Sequence, residues 1–152
     1  MSSTPAADGC RVCLRGARAR IVYTVPFLLV CVEGSASPED ALACRAEFEA
    51  FTTQAWTYPP KFVDQLDEVP VFGPDDLPTL RTVGVSIALP EAEPTAAEAG
   101  VRHDVAAVVK AMSQLAKRTG IEFAVEYREE QIGFLDGGPA DARVVDSFFG
   151  ST

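Results

Sequence analysis

The sequence predicts a single α+β domain, mainly an antiparallel sheet with helices packed on one face. Three observations carry this. Residues Thr82 to Leu89 and Ile121 to Tyr127 alternate apolar and polar side chains with the period of a half-buried strand. Two other stretches, beginning at Ser37 and Thr95, repeat their apolar residues at helical spacing. The chain of 152 residues, 47% hydrophobic, has no internal repeat or second domain. That length buries roughly 70% of the unfolded surface, so neither metal nor disulfide is required to stabilise it.

The elements follow in order. The apolar run from Ile21 to Val32 predicts a buried strand pair, Ile21–Val25 and Phe27–Val32, bent at Pro26 because proline suits strand ends. With four preceding arginines and the following Gly34-Ser35-Ala36-Ser37, the run also imitates a secretory signal. Asp8 in the charged region, Pro26 in the apolar run and Glu33 beside the cleavage point argue against that reading. Twelve apolar residues are too few to span a bilayer.

Ser37, Pro38, Glu39 and Asp40 form a helix start: a hydroxyl cap, a proline at the first position, and acids at the positive end of the dipole. Ala41, Cys44, Phe48, Phe51 and Ala55 then line the buried face. Residues 56–81 hold five prolines and predict an irregular connection, since proline excludes a continuous helix or a central strand. This stretch has two readings. Trp56 and Tyr58, with Asp64, Asp67, Glu68, Asp75 and Asp76, make a stiff partner-binding surface. Alternatively, a short helix at Pro60–Leu66 caps the core over Trp56 and Phe62.

The strand at Thr82–Leu89 directs Val83, Val85, Ile87 and Leu89 inward, leaving Thr82, Gly84, Ser86 and Ala88 on the other side. A linker at Pro90–Pro94 leads to a capping-box pattern, Thr95 with Glu98. The helix that follows carries Val101, Val105, Val108, Met112 and Leu115 on one stripe and stops at Gly120. Ile121–Tyr127 and Ile132–Leu135 then form a hairpin turning at Glu129-Glu130-Gln131, with Glu122, Glu126, Glu129 and Glu130 on its outer face and tip. After the turn Asp136-Gly137-Gly138-Pro139, Asp141 opens a short helix that docks Val144, Val145, Phe148 and Phe149.

Charge narrows the function. With 22 acidic and 13 basic residues the net charge is -9. Residues 1–20 hold Arg11, Arg15, Arg18 and Arg20 against Asp8, a basic tail of +3, so the domain at 21–152 carries -12. Such a surface repels phosphate backbones and anionic lipid, so neither nucleic acid nor membrane is the expected partner. A protein with a basic surface is.

Chemistry-bearing motifs are sparse. Cys10 and Cys13 form a CxxC, half of a zinc or redox motif whose other half is missing. Cys31 and Cys44 read as core residues, and four thiols suit a reducing cytoplasm, with the periplasm as the alternative implied by the signal-like segment. His103, the single histidine, could serve as a general base but has no nucleophile or orienting partner in a recognisable motif. The sequence therefore predicts no catalytic residues, metal or cofactor, and the partner-binding candidates are the Trp56–Asp76 and Glu122–Glu130 residues named above.

From Val108 to the C-terminus the order is a helix, Gly120, the strand Ile121-Glu122-Phe123-Ala124-Val125-Glu126-Tyr127, a returning strand and a closing helix with paired Phe148 and Phe149. This segment resembles the C-terminal part of small bacterial immunity proteins that accompany polymorphic or type VI secreted toxins. The resemblance implies a cytoplasmic antitoxin that binds a cognate toxin and occludes its active site. Two other classes fit an acidic α+β chain: a secretion chaperone of the type III kind, which would begin with a helix, and an enzyme drawing on Cys10, Cys13, His103 and loop acids.

Overall fold

A computed structural model describes residues 26–68, 71–73, 79–90 and 99–149. Among them, five strands form one antiparallel sheet in the order β2-β3-β1-β4-β5. The strands are β1 (Phe27–Val32), β2 (Lys61–Glu68), β3 (Thr79–Ala88), β4 (Phe123–Tyr127) and β5 (Glu130–Leu135), and the helices are α1 (Pro38–Phe51), α2 (Ala99–Thr119) and α3 (Ala142–Phe148). From β1 to β4 the chain follows the split β-α-β connectivity, β-α-β-β-α-β, to which β5 and α3 are appended. The predicted α+β class holds.

Local chemistry explains the helix ends. The Asp40 amide donates to Ser37 Oγ at 3.0 Å and the Ser37 amide donates to Asp40 Oδ2 at 3.1 Å, a reciprocal cap in front of Pro38. Helix α2 ends where Gly120, at φ +81°, donates its amide to the Ala116 carbonyl. Only glycine takes that left-handed conformation without a steric cost. The Thr95–Glu98 cap and the Ile21–Val25 strand fall outside the described residues.

All three helices cover one face of the sheet. Leu28, Val30, Val83, Val85, Ile87, Phe123 and Val125 point from the strands into a core closed by Ala41 and Cys44 of α1, Val101, Val105, Val108, Met112 and Leu115 of α2, and Val144 and Val145 of α3. Burial drives the Cys44 thiol pKa up to about 12, with Asp40 adding a smaller push, so this sulfur stays protonated and inert at neutral pH. Arg118 of α2 pairs with Glu47 of α1 across the outer surface of this layer.

Three expectations need correction. Residues 61–68 are neither an irregular loop nor a short helix; they form an edge strand, the one place where flanking prolines are compatible with a sheet. Strand β3 begins earlier, at Thr79, and is buried on both sides, with Thr82 0% and Ser86 3% exposed. Helix α1 ends at Phe51, so Ala55 lies beyond it and is exposed.

The second face of the sheet is also buried over its central strands, while Phe134 at the β5 edge is exposed. Phe27, Leu29, Cys31 and Ala124 form a separate apolar cluster supported by Val63, and no helical residue belongs to it. The register places Val63, Gly84, Cys31, Ala124 and Phe134 in one row across all five strands. Small side chains fill the middle of that row.

Candidate protein-binding surface

The sheet order separates the two acidic groups read from the sequence. Strand β2 is one edge and the β4–β5 hairpin is the other, four strand spacings or roughly 19 Å away. They do not make one patch.

On the β2 side two of the three described acids already have intramolecular roles. Asp64 receives a bidentate clasp from Arg81, with Nε to Oδ1 at 2.9 Å and Nη2 to Oδ2 at 2.8 Å. That hydrogen-bonded guanidinium holds the Asp64 carboxyl below its ordinary pKa. Asp67 is buried and accepts from Gln65 Nε2 at 2.8 Å, while Glu68 is exposed at the end of the strand. Asp75 and Asp76 lie outside the described residues.

The aromatic candidates pack inward. Trp56 and Tyr58 are half-buried against the helix-side core, and the Trp56 ring meets Phe51 edge-on at 5.9 Å between centroids. Phe51 and Phe62 in turn contact Phe48, and Arg45 stacks over Phe62 at 4.4 Å. Trp56→Ala is therefore expected to cost about 2 kcal/mol of stability, less than a fully buried tryptophan because the residue is only half-buried. Thermal unfolding followed by far-UV circular dichroism checks this, and an unchanged midpoint would assign Trp56 to the surface instead.

The segment bearing these aromatics is pinned by a residue that the sequence reading passed over. Asp104, 1% exposed on α2, accepts from the Thr57 amide at 2.9 Å and the Tyr58 amide at 2.6 Å through Oδ2. Its Oδ1 lies 3.1 Å from His103 Nδ1. His103 is therefore not without an orienting carboxylate, although its own side chain is 71% exposed. A signal was available: Asp104 falls three residues after Val101 and one before Val105, on the apolar side of the helix. Asp141 does similar work near the C-terminus, accepting from Ser113 Oγ, from the Asp136 amide at 3.3 Å and from the Gly137 amide at 2.8 Å.

The hairpin acids are split three ways. Glu122 precedes β4 at the base of the hairpin, where its carbonyl accepts from the Glu33 amide, and both glutamates are exposed. Glu126 is 6% exposed on the second sheet face, opposite Leu29, and is not displayed to solvent. Glu129 and Glu130 are exposed at the tip, about 20 Å from Glu122 at the rise of an extended strand.

The turn itself is formed one residue earlier than expected. Tyr127 pairs with Glu130, leaving Arg128 and Glu129 as the two central residues at φ 53° and 67°. A two-residue hairpin turn with both φ positive matches the twist of the flanking strands, but it normally takes Asn-Gly. Arg and Glu occupy it at a cost of about 1–2 kcal/mol each. The Arg128 guanidinium sits 5.3 Å above the Tyr127 ring, and a bulge at Val125/Glu126 adds twist just before the tip. The result is a strained turn bearing two neighbouring carboxylates.

Among the described residues, no group of three or more His, Cys, Asp or Glu side chains could hold a metal ion, and no helix is long and apolar enough to cross a membrane. Comparison of the chain with protein-family models, with curated proteins and with solved structures finds no match.

Proposed function

We propose that this is an immunity protein of a secreted-toxin system, acting in the cytoplasm, which uses the tip of the β4–β5 hairpin to capture and block a toxin with a basic surface. The observation that carries the reading is the backbone at Arg128 and Glu129. Non-glycine residues held at positive φ in consecutive positions cost stability, and strain of this kind concentrates where a side chain must be presented in a set direction. Here it presents Glu129 and Glu130. The domain charge of -12 supports the same reading, because a like-signed field around an acidic contact speeds the encounter with a cationic partner and disfavours others.

The test is charge reversal at the tip. In Glu129→Lys/Glu130→Lys, binding to the protein encoded by the neighbouring gene is expected to weaken by at least ~10-fold at low salt, roughly 1.4 kcal/mol, and to lose much of its salt dependence. Folding should be unaffected, since both side chains are exposed. Calorimetric titration at two ionic strengths, with growth rescue during co-expression, provides the readout. Unchanged low-salt affinity would remove the tip from the interface, and absence of both binding and rescue in the parent protein would reject the immunity role. Glu126 is not a suitable partner for such a reversal, because a lysine there would place a cation in the buried second face.

A further inference from the structure

The outer strand of a sheet turns a row of N–H and C=O groups away from its neighbour, and a further strand added there is held by the same ladder that joins the others. Proteins commonly guard such edges with charge and proline. Among the described residues the two edges of this sheet are β2 and β5, and they are guarded unequally. Strand β2 follows Pro59-Pro60 and holds Lys61, Asp64, Asp67 and Glu68 within eight residues. In β5 the only charged residue is Glu130, at the tip; Gln131 to Leu135 include neither charge nor proline.

The packing of β5 also suits strand addition. Its pairing with β4 is interrupted once, at the Val125/Glu126 bulge near the tip, and from Gly133 to Leu135 the register is regular. Phe134 is 44% exposed at the end of the row that begins with Val63 on β2, so a strand laid beside β5 would cover its ring and continue the row by one position. On the other face Val144 of α3 lies against Gly133, where a Cβ would come within 3.2 Å of its Cγ2. That face of β5 is already packed, which leaves the edge and the Phe134 ring for a partner.

We propose that the β5 edge receives an extended segment of the toxin by strand addition, an inference that rests on the immunity function proposed above and specifies its mode of capture. The segment is apolar where it meets Phe134 and bears lysine or arginine where it meets the tip. Charge complementarity argues for this occupant: Glu129 and Glu130 are exposed beside the same edge, and a charge of -12 on residues 21–152 opposes a second copy of this chain. Main-chain hydrogen bonds supply affinity for almost any extended sequence. The two glutamates then select a basic one.

The test uses the full-length chain and the purified protein encoded by the neighbouring gene. Hydrogen exchange followed by NMR should show the outward-facing amides of β5, which exchange freely in the isolated protein, slowed by at least ~10-fold in the complex, while those of β2 keep their rates. Phe134→Glu separates strand addition from capture by charge alone. An added carboxylate attracts a basic partner, so charge capture gives equal or tighter binding, whereas an edge guarded in the manner of β2 gives binding at least ~10-fold weaker. The exchange measurement needs no substitution and decides the matter alone if the variant folds poorly. Suppose the complex is weakened by Glu129→Lys/Glu130→Lys, yet its β5 amides exchange as in the free protein, or Phe134→Glu binds as tightly as the parent. Either result would overturn strand addition and leave the immunity function standing. Absence of any complex would remove both.

Discussion

Replacing Gly84 by alanine is expected to lower stability by about 3 kcal/mol or more, which for a chain of this size is a fall in the melting midpoint of roughly 6–12 °C. Gly84 lies in β3 between Cys31 of β1 and Val63 of β2, at the middle of the sheet. A Cβ built there would sit 2.0 Å from the Val30 carbonyl oxygen and 2.6 Å from Cys31 Cα. Both are backbone atoms, which cannot rotate away as a side chain could. Strands β1 and β3 must separate or twist, disturbing the ladder that joins the two halves of the sheet. Gly73→Ala is the matched control: its Cβ would meet nothing within 4 Å, so the midpoint should move little. Urea unfolding of both variants checks the pair, and equal midpoints would show that the centre of the sheet yields easily.

Gly84 also shows why the second face was not legible. Thr82, Gly84 and Ser86 alternate with valines and isoleucine, and that pattern is the ordinary signature of a strand with one wet side. Their small size here serves close packing, and polarity alone does not report it. Glu126 misled for the same reason, since a carboxylate between Val125 and Tyr127 reads as solvent-facing until the sheet order places it opposite Leu29.

Where the determining interactions are local, the reading worked. Ser37 and Asp40 find each other three residues apart, and Gly120 ends α2 through its own backbone freedom. Strand β2 was missed because its cause is remote. Asp64 and Leu66 interrupt any clean alternation, and the guanidinium that makes Asp64 acceptable beside the helical layer belongs to Arg81, 17 residues along the chain. The hairpin was found but its turn was displaced by one residue, since Arg-Glu carries none of the preference for positive φ that Asn-Gly would have announced. For the candidate surface, residue types point to acidic hairpin side chains, and only the strand register divides them into a base, a buried face and a tip.

Asp104 gives the second large expected effect. Asp104→Ala should cost about 3 kcal/mol, because it leaves the Thr57 and Tyr58 amides without the carboxylate they now share and opens a gap under the segment. Hydrogen bonds to a charged acceptor contribute more than neutral ones, so Asp104→Asn, which keeps one oxygen in place, should recover part of the loss but not all. Residue 56 offers a local readout. Trp56 is the only tryptophan in the chain and immediately precedes the pinned amides, so its emission should shift to the red in the alanine variant before global unfolding begins. If stability falls without that shift, Asp104 supports α2 rather than the aromatic segment. If neither changes, the packing of Trp56 on Phe51 alone suffices to hold the connection between α1 and β2 in place.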